Sequence, residues 1–174
     1  MNQCQQYDLS TLGMIRVSGE DAERFLQGQL TNDVARVTAG RSQLGGYCTP
    51  KGRMIASMRL LPLQGDFVLL LPKERLAAVL RRLGMFVLMS KVTLSDASAE
   101  LRAIGLGGDC TTALPAAETP AEADDSIEAQ DGVTIVRLAD AAPRYLLVGP
   151  GDAVAQRQQQ FASVAPAASE QQWW

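Results

Sequence analysis

Histidine is absent from the 174 residues. That removes the commonest general base near neutral pH, the usual zinc ligand and every Ser-His or Cys-His catalytic pairing. Cysteine is scarce: Cys4, Cys48 and Cys110 are odd in number and widely scattered. Without a C-x-x-C spacing they suggest neither a zinc nor a redox site and no framework of paired disulfides, so reduced thiols in a cytosol are expected. Cations do not dominate either, since 16 Lys and Arg stand against 19 Asp and Glu for a net charge of -3. With no convincing basic run, there is no general field favouring nucleic acid. No apolar stretch is long enough to cross a bilayer, and Met1-Asn2-Gln3-Cys4-Gln5-Gln6 lacks the basic start and apolar run of a signal peptide. A cytoplasmic protein without membrane or direct nucleic-acid contact is the expectation.

What remains is ordinary for a globular chain: 47% hydrophobic residues, enough for one domain or two small ones. Leu12-Gly13-Met14-Ile15-Arg16-Val17 reads as a strand ending at Ser18, a side chain able to cap a following helix, with Asp21 completing a capping-box-like pair. Ala22, Phe25, Leu26 and Leu30 share one helical face, and Gly28 suits a C-terminal turn with positive φ. Residues 43–48 and 54–63 read as strands around Thr49-Pro50-Lys51-Gly52, a hairpin turn. Phe67 to Leu71 is a buried strand. From Lys73 the apolar stripe Leu76, Val79, Leu80, Leu83 and Phe86 predicts an amphipathic helix, after which Lys91 to Leu94 returns to strand.

The order β-α-β-β-β-α-β predicts an antiparallel α+β unit rather than a doubly wound nucleotide fold. Gly105, Gly107 and Gly108 lack the G-x-G-x-x-G spacing of a phosphate loop. Beyond them, Glu118, Glu122, Asp124, Asp125, Glu128 and Asp131 have no Lys or Arg among them; a solvated connection with a weak helix is expected, and no metal. Val133 to Leu138 and Tyr145 to Val148 restore strands, and Gly151 to Val164 a helix. Two domains follow, residues 1–98 and 99–174.

Two runs exceed what core packing demands: Phe25-Leu26-Gln27-Gly28-Gln29-Leu30-Thr31-Asn32-Asp33 and Thr49-Pro50-Lys51-Gly52-Arg53. With Ser18-Gly19-Glu20-Asp21-Ala22 before them, Ser90-Lys91-Val92 after them and Gln171-Gln172-Trp173 near the end, they resemble the folate-binding YgfZ proteins of the GcvT (aminomethyltransferase) superfamily. The resemblance covers nearly the whole chain. It implies two small ferredoxin-like antiparallel α+β units packed together, and tetrahydrofolate or a one-carbon derivative as ligand. It also implies an accessory role in iron-sulfur cluster assembly or repair, and thereby tRNA modification, with assembly factors or client enzymes as partners.

Three departures refine the expectation. The aminomethyltransferase branch places carboxylates where this chain has Ala56 and Ser57, which cannot act as charged bases. A non-enzymatic YgfZ-type role is therefore expected over the alternative, a tetrahydrofolate-dependent aminomethyltransferase of the glycine cleavage system. The family's Lys-Gly-Cys-Tyr-x-Gly-Gln-Glu motif and C-terminal barrel lie beyond Trp174. The chain is thus expected to be an N-terminal portion, or else an incomplete interaction module that self-associates through the surface the barrel covers. Leu12 stands where relatives carry a ligand-contacting Trp. The resemblance implies stacking on folate for Trp173, apolar contact for Leu12 and attraction of the glutamate tail for Lys51 and Arg53. Gln27 and Gln29 either bond the pterin edge or tie down the helix end; Thr31, Asn32 and Asp33 either contact ligand or form an Asx-type turn. No catalytic residue is assigned, and Cys48 is read as a buried strand thiol.

Overall fold

The structure is a computed structural model that describes residues 3–173. The readings of Met1-Asn2 as the chain's start and Trp174 as its end lie outside them. The chain opens with β1 (Gln5–Asp8), followed by β2 (Leu12–Ser18), α1 (Ala22–Gln27), β3 (Gln43–Cys48), β4 (Met54–Leu63), β5 (Asp66–Pro72), α2 (Lys73–Gly84) and β6 (Thr93–Asp96). Then come β7 (Leu101–Gly107), β8 (Ser126–Glu128), β9 (Thr134–Arg137), β10 (Arg144–Pro150), α3 (Gly151–Phe161) and the two-residue β11 (Ala167–Ala168). Two compact units result, one of residues 11–98 and one of residues 1–10 with 99–174.

Residues 11–98 form a five-stranded sheet in the order β3-β4-β5-β2-β6, every neighbouring pair antiparallel. Alternation along each strand sends Ile15, Val17, Met58, Leu60, Leu69 and Leu71 into one core, together with Phe25 and Leu26 of α1 and Leu76, Val79 and Leu83 of α2. Of the predicted α2 stripe, Leu76, Val79 and Leu83 are buried and Leu80 is half-buried against the same core. The helix ends at Gly84, which leaves Phe86 exposed rather than in the stripe.

At α1 the local signals act differently from expectation. The N-cap is Asp21 rather than Ser18, and it makes no side-chain cap bond. Its Oδ2 instead accepts from the Lys91 backbone N–H at 2.9 Å, and its Oδ1 from Arg24 at 3.0 Å. Gly19 takes φ +112°, and a Cβ there would stand 2.1 Å from the Lys91 carbonyl oxygen. Lys91 Nζ closes the arrangement on Glu20 at 2.7 Å. The Ser18–Asp21 phrase and the Ser90–Val92 phrase therefore bind each other across 70 residues. Gly28, expected at positive φ, is helical at -79° and simply ends the turn.

The other unit is a six-stranded sheet in the order β11-β1-β7-β10-β9-β8, antiparallel except for the β1–β11 pair. The first residues belong here because Gln5 to Asp8 pair with Gly107 to Ile104. The sequence division at 98/99 places them with the other domain, since a short polar strand carries no sign of its distant partner. Its core joins Ile104, Leu106, Ile135, Leu147, Val154 and Phe161. The expectation of three reduced thiols is corrected: Cys4 and Cys110 form a disulfide, and Cys48 alone is free. The β1–β7 register brings the two ends of a 106-residue separation side by side, which no local spacing could announce.

The acidic connection is also less solvated than expected. Arg157 of α3 grips Asp131 through Nε (2.5 Å) and Nη2 (3.0 Å) and reaches Glu118 through Nη1 at 2.7 Å. Burial pushes the Asp131 carboxyl up, but the bonds and charge of Arg157 and the Val133 N–H prevail and hold it below its ordinary value.

Candidate functional site

The Gln27–Asp33 run is a clamp on the edge of the first sheet. β3 is an edge strand, and its Gly45-Gly46 backbone leaves room for close approach. Thr31 bonds Gly46 twice, accepting from its N–H at Oγ1 (2.9 Å) and donating from its own N–H to the carbonyl (3.0 Å). Asn32 Nδ2 donates to Gln43 Oε1 and the Leu44 carbonyl, both at 3.1 Å. A Cβ on Gly45 would fall 1.4 Å from Asn32 Oδ1, so the glycine is required by the clamp. Gln27 holds the base of this loop: its Oε1 accepts from the Val34 N–H at 2.7 Å and its Nε2 donates to the Asn32 carbonyl at 3.4 Å. Gln27, Thr31 and Asn32 thus make tethering contacts: Thr31 and Asn32 reach β3 rather than closing a local Asx turn, and Gln27 bonds its own loop. Gln29 is half-buried beside the core residue Leu30.

The hairpin joining β3 to β4 carries Lys51 and Arg53 at its exposed tip. Thr49 and Arg53 close it through a 2.8 Å backbone bond and a 3.1 Å bond from the Arg53 N–H to Thr49 Oγ1, with Gly52 at φ +77°. Just inside the tip, Ala56 is buried opposite Tyr47, while Ser57 is exposed. Leu12 begins β2 opposite Pro72 and is half-buried.

Trp173 lies in the other unit and is only 3% exposed. Its ring rests on the β7 backbone at Gly105, where a Cβ would approach three ring atoms to 2.6–2.8 Å. Tyr7 of β1 packs beside it with ring centroids 5.3 Å apart, and the Arg144 guanidinium carbon stands 4.0 Å from the indole centroid. Arg144 also donates to the Trp173 carbonyl and pairs with Asp140 at 2.7 Å. That hydrogen bond holds the Asp140 carboxyl below its ordinary value. A cavity of about 220 Å³ adjoins this cluster, bordered by Gln5, Tyr7, Asp140, Arg144 and Trp173. The sequence reading named Trp173 but missed Tyr7 and Arg144: Tyr7 lies in a stretch with no strong strand pattern, and Arg144 sits just before the strand read at Tyr145 to Val148, whose partners the sequence does not state.

Among the described residues, no group of three or more Cys, Asp or Glu side chains is placed to hold a metal ion. No helix there is long and apolar enough to cross a membrane.

With this geometry in view, comparison with known proteins defines the class. The profile of the GCVT N-terminal domain matches residues 1–138, and the chain belongs to that family. Among curated relatives, the tRNA-modifying protein YgfZ of Colwellia psychrerythraea is 33% identical over 144 residues, 81% of this chain and 44% of that protein. The tRNA-modifying protein YgfZ of Klebsiella pneumoniae is 27% identical over 173 residues, 95% of this chain and 51% of that protein. The chain spans about half the length of these relatives. The glycine cleavage system aminomethyltransferase T of Bartonella henselae shares the fold at TM-score 0.76 and 18% identity, covering 96% of this chain and 47% of that one.

Proposed function

We propose that the chain supplies the folate-binding part of a YgfZ-type accessory protein for iron-sulfur cluster assembly or repair, and acts on tRNA modification through cluster-containing clients. The observation that carries this reading over aminomethyl transfer is the start of β4. There the chain directs Ala56 into the core and Ser57 to solvent. Neither side chain can accept a proton from an amine or balance a developing cation at neutral pH.

The residues present fit a reduced folate in their chemistry. Lys51 and Arg53, exposed at the hairpin tip, suit the carboxylates of a glutamate tail. Trp173 suits the pterin or benzoyl ring, although Gly105 and Arg144 already take up its surroundings. Its exposure of 3% means that a ring can stack there only once Arg144 moves aside. Gln29 retains an amide for a pterin edge, whereas Gln27 has both amide groups committed to the loop. When bound, the folate would supply its one-carbon chemistry; the chain's part is to hold and orient it.

Calorimetric titration with tetrahydrofolate tests this reading. Micromolar binding, weakened when Lys51 and Arg53 are both changed to Ala, supports it. The aminomethyltransferase reading predicts turnover in a glycine-cleavage assay with lipoyl carrier protein, and the exposed Ser57 predicts none.

A further inference from the structure

We infer that Cys4 and Cys110 form a thiol–disulfide exchange site, open to small thiols of the glutathione class at Cys110, whose state controls how firmly Trp173 is held. The inference is independent of folate binding and rests on three placements.

The first is access. Both cysteines are buried, at 4% and 3% exposure, but Cys110 borders an open groove of about 480 Å³ with Thr111, Leu114, Ala141 and Tyr145. That volume lies within the range that holds small organic ligands, and Cys110 is the cysteine that borders it. The second is position in the sheet. Cys4 immediately precedes β1, which lies between β7 and β11. The third is connection to the Trp173 cluster. Among the described residues, β11 pairs with the sheet through Gln6↔Ala167 and Tyr7↔Ala168, and Tyr7 carries the ring that packs against Trp173. The disulfide therefore fastens the root of the strand on which both β11 and the indole depend.

In the exchange, an incoming thiolate attacks Cys110 Sγ, the Cys4–Cys110 bond breaks, and Cys4 leaves as a thiolate that takes up a proton. A second thiolate attacks the incoming sulfur of the mixed disulfide and releases Cys110, which is protonated in turn. Two electrons and two protons pass from two small thiols, which end as one disulfide. Cys48 lies on β3 and takes no part.

The test uses the whole chain equilibrated with oxidised and reduced glutathione, alkylated in the native state and mapped by mass spectrometry. The expected result is a bridged Cys4–Cys110 peptide with Cys48 alone alkylated in the oxidised sample. Oxidised glutathione should place its adduct on Cys110 in Cys4→Ser, and Ala141→Trp, which narrows the groove, should slow reduction several-fold. In a Trp174→Phe background, reduction should red-shift Trp173 emission and raise its quenching by acrylamide. Reduction by dithiothreitol in that background, with all three cysteines native, makes this optical comparison without a cysteine variant. Failure of the pair to oxidise, attack at Cys4, reduction unaffected by Ala141→Trp, or Trp173 emission indifferent to the bond would each overturn the inference.

Discussion

Gly105→Ala is the sharpest perturbation of the Trp173 cluster. Gly105 lies within β7, opposite Tyr7 on one side and Leu146 on the other, and it is not among the glycines with positive φ. An alanine there suits the strand and by itself is worth about 0.5–1 kcal/mol in stability through lower unfolded-state entropy. The space above decides the sign. The new methyl would stand 2.6 Å from Trp173 Cζ3, 2.7 Å from Cε3 and 2.8 Å from Cη2, closer than any packed carbon tolerates. The ring is rigid, and Tyr7 and Arg144 hold it in place, so the indole must lift. Overpacking of this kind costs about 1–3 kcal/mol. Complete expulsion sets an upper limit of about 4–6 kcal/mol, from about 150–250 Å² of aromatic surface at about 25 cal/mol per Å². Less the entropy gain, the expected net loss is up to about 2.5 kcal/mol, read from urea unfolding, with red-shifted Trp173 emission in a Trp174→Phe background. Gly28→Ala is the control, because its Cβ meets nothing closer than 3.5 Å and its φ is -79°. A Gly105→Ala chain as stable as the parent, with unchanged emission, would refute the placement of the indole on β7.

Asn32→Ala should destabilise residues 11–98 by about 1–3 kcal/mol in urea unfolding, because it removes the donor to Gln43 and the Leu44 carbonyl. Gly45→Ala should do so more strongly in the parent than in an Asn32→Ala background, where the clash at 1.4 Å is gone. Asp131, held below its ordinary value, contributes stability that is complete above its unfolded pKa and falls away as pH drops through the lower folded value. Arg157→Met removes the charge and hydrogen bonds that offset burial, so the acid unfolding midpoint should move to higher pH. Its cost at neutral pH should be about 1–3 kcal/mol, below that of a fully buried pair because Asp131 remains 36% exposed.

Periodicity made much of the fold legible. Short strand-forming runs bounded by turn residues exposed β2, β4 and β5, the helical stripe exposed α2 as far as Leu83, and the Pro-Lys-Gly turn exposed the hairpin between β3 and β4. What stayed hidden depends on partners distant in sequence. Gln5-Gln6-Tyr7-Asp8 has no strong strand pattern, and pairing with the backbones of β7 and β11 makes it one. The disulfide follows from that register, so counting cysteines could not reveal it. Ser18 and Asp21 looked like local capping residues, yet Asp21 serves Lys91 instead.

The candidate residues divide along the same line. The Gln27–Asp33 run stood out because packing alone would not require it, and its role proves largely architectural: Thr31 and Asn32 secure β3, and Gln27 secures their loop. The family wording that identified the chain thus marks contacts between distant segments. Lys51 and Arg53 remain exposed, and Trp173 meets its own chain first.

The most direct test of the folate reading is titration of tetrahydrofolate into the parent chain and Trp173→Phe, with circular dichroism confirming that both are folded. The account predicts micromolar binding by the parent and markedly weaker binding by the variant, whose smaller ring stacks less well. Absence of binding by the folded parent, or equal affinity in the two, would contradict it.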